Sequence, residues 1–129
     1  MKEFSPRWKS SKKPRKQRKY LANAPLHIRK DFLKVQLSKP LREKYKRRNV
    51  LVHKGDKVKI MRGQFYGMIG KAEIVDYNAS RVYVEGASIV KKDGSKSNYP
   101  IHPSNLQIQE LVMDDKKRIK SIERTVSKK

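Results

Sequence analysis

The stretch Lys54-Gly-Asp-Lys-Val-Lys-Ile-Met-Arg-Gly-Gln-Phe-Tyr-Gly-Met-Ile-Gly-Lys-Ala-Glu-Ile-Val-Asp76 decides the fold. Lys54-Gly55-Asp56 reads as a turn. Val58 and Ile60 alternate with Lys57 and Lys59, the period of a half-buried strand. Arg62-Gly63-Gln64-Phe65-Tyr66-Gly67 breaks that alternation and reads as a loop that projects polar and aromatic groups. Met68 to Val75 is a second strand, with Ile69, Ala72 and Ile74 expected in the core. Gly55, Gly67 and Gly70 are structural glycines, placed where the backbone must bend or approach a neighbour that a Cβ would meet.

Working outward from this hairpin, the same period recurs. Val50 to Val52 is apolar. Asp76 to Ser80 is a turn, and Arg81 to Glu85 alternates with Val82 and Val84 on one face, continuing beyond Gly86 through Ala87 to Val90. Lys92-Asp93-Gly94-Ser95 is a strong hairpin signal, because Asp-Gly suits a tight turn needing positive φ. Lys96 to Pro100 returns, and Leu106 to Leu111 closes the set. About five short strands at regular spacing in about 60 residues predict a small antiparallel barrel over residues 50–112. The fold class is therefore mainly β.

The flanks differ in kind. Leu26, Ile28, Phe32, Leu33 and Leu37 are spaced for a short helix, and Ser38 with Pro40 announces a second, so residues 26–49 are expected to hold short helices. Residues 1–25, interrupted by Pro6, Pro14 and Pro25, read as an extended basic arm. Residues 113–129 read as a basic helix or tail, with Ile119, Ile122 and Val126 spaced to seat one face and Asp114-Asp115 as the negative first turn.

Charge follows the same division. The chain of 129 residues carries a formal net charge of +22, with 18 Lys and Arg against 3 acids in residues 1–50 but 9 against 6 in residues 51–112. A lone domain with that excess repels itself, and a neutralising polyanion is the natural partner, nucleic acid first among them. The apolar fraction of 36% falls below the roughly 45–50% of globular domains, so the ends are expected to order on a partner. There is no cysteine, which excludes disulfides and thiolate metal sites. No apolar run approaches the roughly 20 residues of a membrane helix, and Met1 to Ser10 offers no secretory core; an intracellular chain is the default.

Lys54 to Asp76 resembles the KOW motif of ribosomal proteins and transcription elongation factors, which implies an SH3-like barrel. Asn23-Ala-Pro25-Leu-His27-Ile-Arg-Lys30, Leu37-Ser38-Lys-Pro-Leu41-Arg-Glu-Lys-Tyr45 and Ile101-His102-Pro103-Ser104-Asn105-Leu106 are similar to segments of one family. That family is the large-subunit ribosomal protein numbered twenty-four in bacteria and archaea and twenty-six in the eukaryotic cytosol. The long arm and brief C-terminus look archaeal. The resemblance implies a structural constituent of the large subunit that binds the 5′ domain of its rRNA early in assembly, near the nascent-peptide tunnel exit. It implies large-subunit rRNA and neighbouring ribosomal proteins as partners, a cytoplasmic location in the ribosome, no membrane, no small-molecule substrate and no cofactor.

Carried over by position, the resemblance implies that the Arg62 to Tyr66 loop contacts RNA and that the basic arm runs between RNA helices; the residue chemistry agrees, with cations for phosphates and flat rings for unpaired bases. In the arm the residues expected to touch RNA are Trp8, Lys12, Lys13, Arg15, Lys16, Arg18, Lys19 and Tyr20. In the helical segment they are His27, Arg29, Lys30, Arg47 and Arg48. In the barrel they are Lys57, Lys59, the loop Arg62, Gly63, Gln64, Phe65 and Tyr66, and His102.

Other readings are weaker. Gly67-Met-Ile-Gly70 matches the KH loop by letters but starts a strand rather than joining helices. Gly70-Lys71 lacks the earlier glycine and the following Ser or Thr of a phosphate-binding loop. His27, His53 and His102 lie far apart and suggest no metal site. No nucleophile, base and orienting group assemble, so an enzyme is not expected. A KOW module of a transcription elongation factor and a basic chromatin protein remain the alternatives. Peptide capture by the barrel is a third, without an acidic patch to support it.

Overall fold

The computed structural model describes residues 4–8 and 10–126. Seven strands form one mixed sheet: β1 Lys34–Leu37, β2 Asn49–Leu51, β3 Lys57–Ile60, β4 Ile69–Asp76, β5 Arg81–Val90, β6 Lys96–Ile101 and β7 Leu106–Glu110. Their order is β2-β1-β7-β3-β4-β5-β6. The helices are α1 Pro14–Asn23, α2 Leu26–Arg29, α3 Lys39–Tyr45 and α4 Lys116–Val126, with a 3₁₀ turn at Lys30–Leu33 between α2 and β1.

The alternation read in the sequence becomes the core. Val58 and Ile60 of β3, Val82 and Val84 of β5, and Leu106 and Ile108 of β7 are all buried, while Lys57 and Glu110 face water. The sheet curls because β4 changes partner midway. Ile69 to Lys71 pairs with β3, and from Ala72 onward the strand pairs with β5, with a register shift between Ala72 and Ile74. Such an irregularity bends a strand and increases its twist, which gives a small SH3-like barrel its curvature. Gly70 sits at the tightest point: a Cβ there would lie 2.6 Å from the Glu85 carbonyl oxygen and 2.9 Å from Val84 Cγ1.

Four expectations are corrected. The segment around Leu33 to Leu37 is a strand rather than the end of a helix, because Leu33, Val35 and Leu37 alternate inward against the core. This strand, β1, runs parallel to β7 (Gln36 opposite Gln107, Leu37 opposite Ile108), so the sheet is not wholly antiparallel and has seven strands rather than about five. Ile69 and Ile74 are each 51% exposed; the inward positions of β4 are taken by Gly70 and Ala72, small enough for β5 to approach. Residues 1–25 are not extended throughout, since Pro14 starts α1 at a position where its missing N–H costs nothing.

Ser38 does precede α3, with Pro40 in the first turn, but its hydroxyl makes no capping bond and is buried without a partner. Lys46, at φ 48°, ends the helix in the left-handed conformation. Asp115, rather than lying in the first turn, caps α4: its carboxylate accepts from the Lys117 N–H at 2.8 Å. Ile122 is buried and Ile119 half-buried, as their spacing requires. The Val126 side chain and residues 127–129 lie outside the described residues.

The contact that seats α4 is ionic. Arg118 grips Asp56 with both ends of its guanidinium, Nη2 to Oδ2 at 2.6 Å and Nη1 to Oδ1 at 2.7 Å. Asp56 is fully buried, and its carboxylate also accepts from the backbone N–H groups of His53 at 2.8 Å and Val112 at 2.9 Å. Arg118 further donates to the carbonyls of Val112 at 2.7 Å and Leu51 at 3.1 Å. Removing one partner leaves the other charge buried and unpaired. Arg118→Ala is expected to destabilise the fold by about 3–5 kcal/mol in denaturant unfolding. A loss under about 1 kcal/mol would show that α4 contributes little to the fold. Gly70→Ala is expected to cost about 1–3 kcal/mol in the same measurement, because backbone rather than a yielding side chain meets the new methyl.

Candidate nucleic-acid interface

The arm reaches the body through rings. Trp8 stacks on Tyr20 with ring centroids 4.4 Å apart and planes 21° from parallel. Phe4 lies 5.0 Å from the same ring, and Tyr20 in turn meets Phe32 of the 3₁₀ turn at 6.1 Å. Trp8 and Tyr20, expected to stack on bases, are therefore engaged with each other and with the body. At 100° per residue, Arg15, Arg18 and Lys19 share the face of α1 away from Tyr20. They are exposed, as are Lys12, Lys13 and Lys16.

Arg29 works inward. Its Nε donates to the Ala24 carbonyl at 2.8 Å, Nη2 to the Ala22 carbonyl, and Nη1 to Asn78 at 3.4 Å. It satisfies the open carbonyls at the end of α1 and ties that helix to the β4–β5 turn, which engages the guanidinium expected to meet RNA. Arg47 is partly engaged as well, donating from Nη1 to Ser121 at 3.1 Å. Lys57 pairs with Glu110 at 2.8 Å on the open surface, where such a pair is worth little. His27, Lys30 and Arg48 are exposed and Lys59 is half-buried. Lys30 and Arg47 do come together, with Lys34, His53 and Lys117, around a cleft of about 370 Å³ beside α4.

The loop after β3 is built by its glycines. Gly63 (φ +97°) and Gly67 (φ +83°) adopt conformations that L side chains rarely take. The Gly67 N–H donates to the Ile60 carbonyl at 2.9 Å and closes the loop. Phe65 turns inward, packing on the core and against Tyr99 at 5.3 Å, while Tyr66 is 70% exposed. Arg62 and Gln64 are exposed.

Together with the β6–β7 turn, the loop encloses a cavity of about 180 Å³ that gathers Arg62, Gly63, Gln64, Phe65 and His102. It also brings in Arg81, Tyr99 and Asn105, which sequence reading missed. They sit 18 or more positions from Gly63, and only the curl of the sheet joins them to the loop. The His102 Nδ1 lies 2.7 Å from Ser104 Oγ and accepts from the Ser104 N–H at 3.2 Å, which leaves Nε2 unused by that turn. Partial burial, then the nearby Arg81 charge, lowers the His102 pKa from 6.5. Burial and Arg118 lower that of His53 likewise, against the opposing pull of Asp56.

Among the described residues no group of three His, Asp or Glu could hold a metal ion, and no helix is long and apolar enough to cross a membrane. What remains is a KOW-type β-barrel whose exposed chemistry is cations, rings and amides.

The chain belongs to the family that comprises the L26 ribosomal proteins of eukaryotes and the L-twenty-four ribosomal proteins of archaea, which it matches over residues 11–125. It is 52% identical over 116 residues to the large ribosomal subunit protein uL24 of the archaeon Methanosphaera stadtmanae, covering 90% of this chain and 99% of that one. The archaeal-type resemblance read in the sequence is thus correct, and the family is structural rather than enzymatic.

Because folding disfavours the charged forms of His53 and His102, the unfolded chain binds more protons below pH 6.5. Their contribution to stability is expected to be complete above that pH and to be lost as pH falls toward their folded midpoints. An NMR titration should place both midpoints below 6.5, and a midpoint at or above that value would contradict the environments described.

Proposed function

We propose that this chain, a structural constituent of the large ribosomal subunit in the cytoplasm, acts by binding large-subunit rRNA through two surfaces, the basic face of α1 and the loop that follows β3. The carrying observation is that Arg15, Arg18 and Lys19 stand exposed on a helix fixed to the body by the Trp8, Tyr20 and Phe32 rings. Cations held in place neutralise phosphates and release counterions, which gives affinity and register without reading sequence. The exposed Arg62 and Tyr66 extend that surface onto the loop. In keeping with the family resemblance, binding is to the 5′ domain of the rRNA, early in assembly, near the nascent-peptide tunnel exit, with neighbouring ribosomal proteins as further partners.

Filter binding to large-subunit rRNA and to duplex DNA at equal salt tests this. With roughly 6–10 phosphate contacts, affinity for the rRNA should fall by about 10³–10⁵ between 50 and 200 mM salt. The triple variant Arg15→Gln, Arg18→Gln, Lys19→Gln should weaken rRNA binding and reduce the salt slope by about three, one for each lost contact. An unchanged slope would remove α1 from the interface, and equal affinity for duplex DNA would favour a chromatin role instead. Arg62→Ala with Tyr66→Ala should weaken binding while leaving the thermal midpoint within a few degrees of wild type, since both side chains are exposed.

A further inference from the structure

We propose that the cavity between the Arg62–Gly67 loop and the β6–β7 turn is a pocket for one unpaired nucleotide of the bound RNA. The inference rests on the RNA-binding reading above and adds to it a place, a ligand unit and a mode of capture.

Size and charge single this cavity out. At about 180 Å³ it is smaller than the clefts of about 370 Å³ and 720 Å³ elsewhere on the described surface. Those two clefts carry carboxylates, Asp31 and Asp115 in one and Glu85, Glu110 and Asp114 in the other. No carboxylate lines the smaller cavity. Asp76, opposite Arg81 in the β4–β5 ladder, has its Oδ1 engaged by the Asn78 and Ala79 N–H groups at 2.8 and 3.0 Å. The cavity is therefore lined by two arginines and by no carboxylate, with Asp76 the nearest acid in the ladder.

Its walls offer the three things a nucleotide needs. Tyr99 is 37% exposed and is buttressed by Phe65 at 5.3 Å, so it supplies a ring on which a base can stack. Asn105 has both backbone groups committed: its N–H donates to the His102 carbonyl at 2.9 Å, and its carbonyl accepts from the Met61 N–H at 2.7 Å. Its side-chain amide has no partner among the described residues. An amide held by its own backbone presents a donor beside an acceptor, the pattern that a base edge complements. His102, with Nδ1 engaged by Ser104, has Nε2 left to join that edge. Arg62 and Arg81 supply guanidinium groups for the flanking phosphates; the hydrogen bond that Arg81 makes within the protein is a 3.2 Å contact from Nη1 to Ser80. A base inside a duplex has its faces and its edge occupied, so only one splayed out of the stack can enter.

The test is footprinting of transcribed Methanosphaera stadtmanae large-subunit rRNA with the full-length chain. Dimethyl sulfate reports the pairing edges of adenine and cytosine, a carbodiimide those of uracil and guanine, and hydroxyl radical reports the backbone. Wild type should protect an isolated unpaired nucleotide at its base edge, together with backbone tracts. Tyr99→Ala and Asn105→Ala should each abolish the base-edge protection and keep the backbone tracts, and Tyr99→Ala should lower affinity about tenfold. Tyr99→Phe, which keeps the ring, should restore the protection, so that loss in Tyr99→Ala is assigned to stacking. Base-edge protection that survives both alanine variants overturns the pocket while leaving the RNA reading intact. Absence of all protection with wild type overturns the RNA reading itself, and the pocket with it.

Discussion

Asp56 and Arg118 hold the molecule together at one point. The carboxylate is fully buried and takes four hydrogen bonds, two from the guanidinium and two from backbone N–H groups on different segments. Through those bonds the turn before β3, the end of β7, the carbonyl of Leu51 in β2 and the helix α4 meet in one cluster. A buried ion pair adds little net stability over an apolar replacement of the same shape. Its worth here is that it brings both Asp56 carboxylate oxygens and both terminal guanidinium nitrogens together in one arrangement, with the buried Arg118 Nε left without a partner. β3 leaves Asp56 and, four residues later, delivers the chain to the Arg62 loop. Fixing the start of a strand that short also fixes where the loop projects.

The arm follows a related logic with different chemistry. Phe4 and Trp8 pack on Tyr20, and Tyr20 packs on Phe32, so the rings join the arm to the body. Arg29 then closes the exposed carbonyls at the end of α1 and touches the turn leading into β5. A preformed helix meets a partner with less conformational freedom left to lose than a flexible tail. The same rings that make the arm look like a stacking device make it a mounting for cations.

Period and turn chemistry make most of the barrel legible. The alternations at Val58 and Ile60, Val82 and Val84, and Leu106 and Ile108 each mark a real strand, and Asp93-Gly94 marks a real hairpin with Gly94 at φ +85°. Reading fails where tertiary contact outweighs local pattern. β1 is four residues long, and its apolar residues fit a helical stripe as well as a strand; pairing with the distant β7, Gln36 against Gln107, decides the matter. Hydropathy places Ile69 and Ile74 inward, yet a strand pressed against a neighbour needs glycine and alanine on that side. Arg118 reads as one cation among many in a basic tail, and no local signal says that its partner is Asp56. In the candidate site, the loop is legible from the motif and His102 from the Ile101 to Leu106 segment. Arg81, Tyr99 and Asn105 belong to it only through the curl of the sheet.

The parallel pairing of β1 with β7 also sets a schedule. β7 is third in the order of seven, between β1 and β3, but it comes late in the sequence. Contacts that close such long loops form slowly, because the chain loses the entropy of closure before any pairing repays it. A polypeptide made from its N-terminus therefore exposes its most cationic fifty residues first. Strand β7, and the arginine that ties it to β2 and to the turn before β3, follow more than a hundred residues behind Met1. Until then β1 and β3 lack the strand that joins them, and the hairpins from β3 to β6 have no link to the basic N-terminal segment through the sheet.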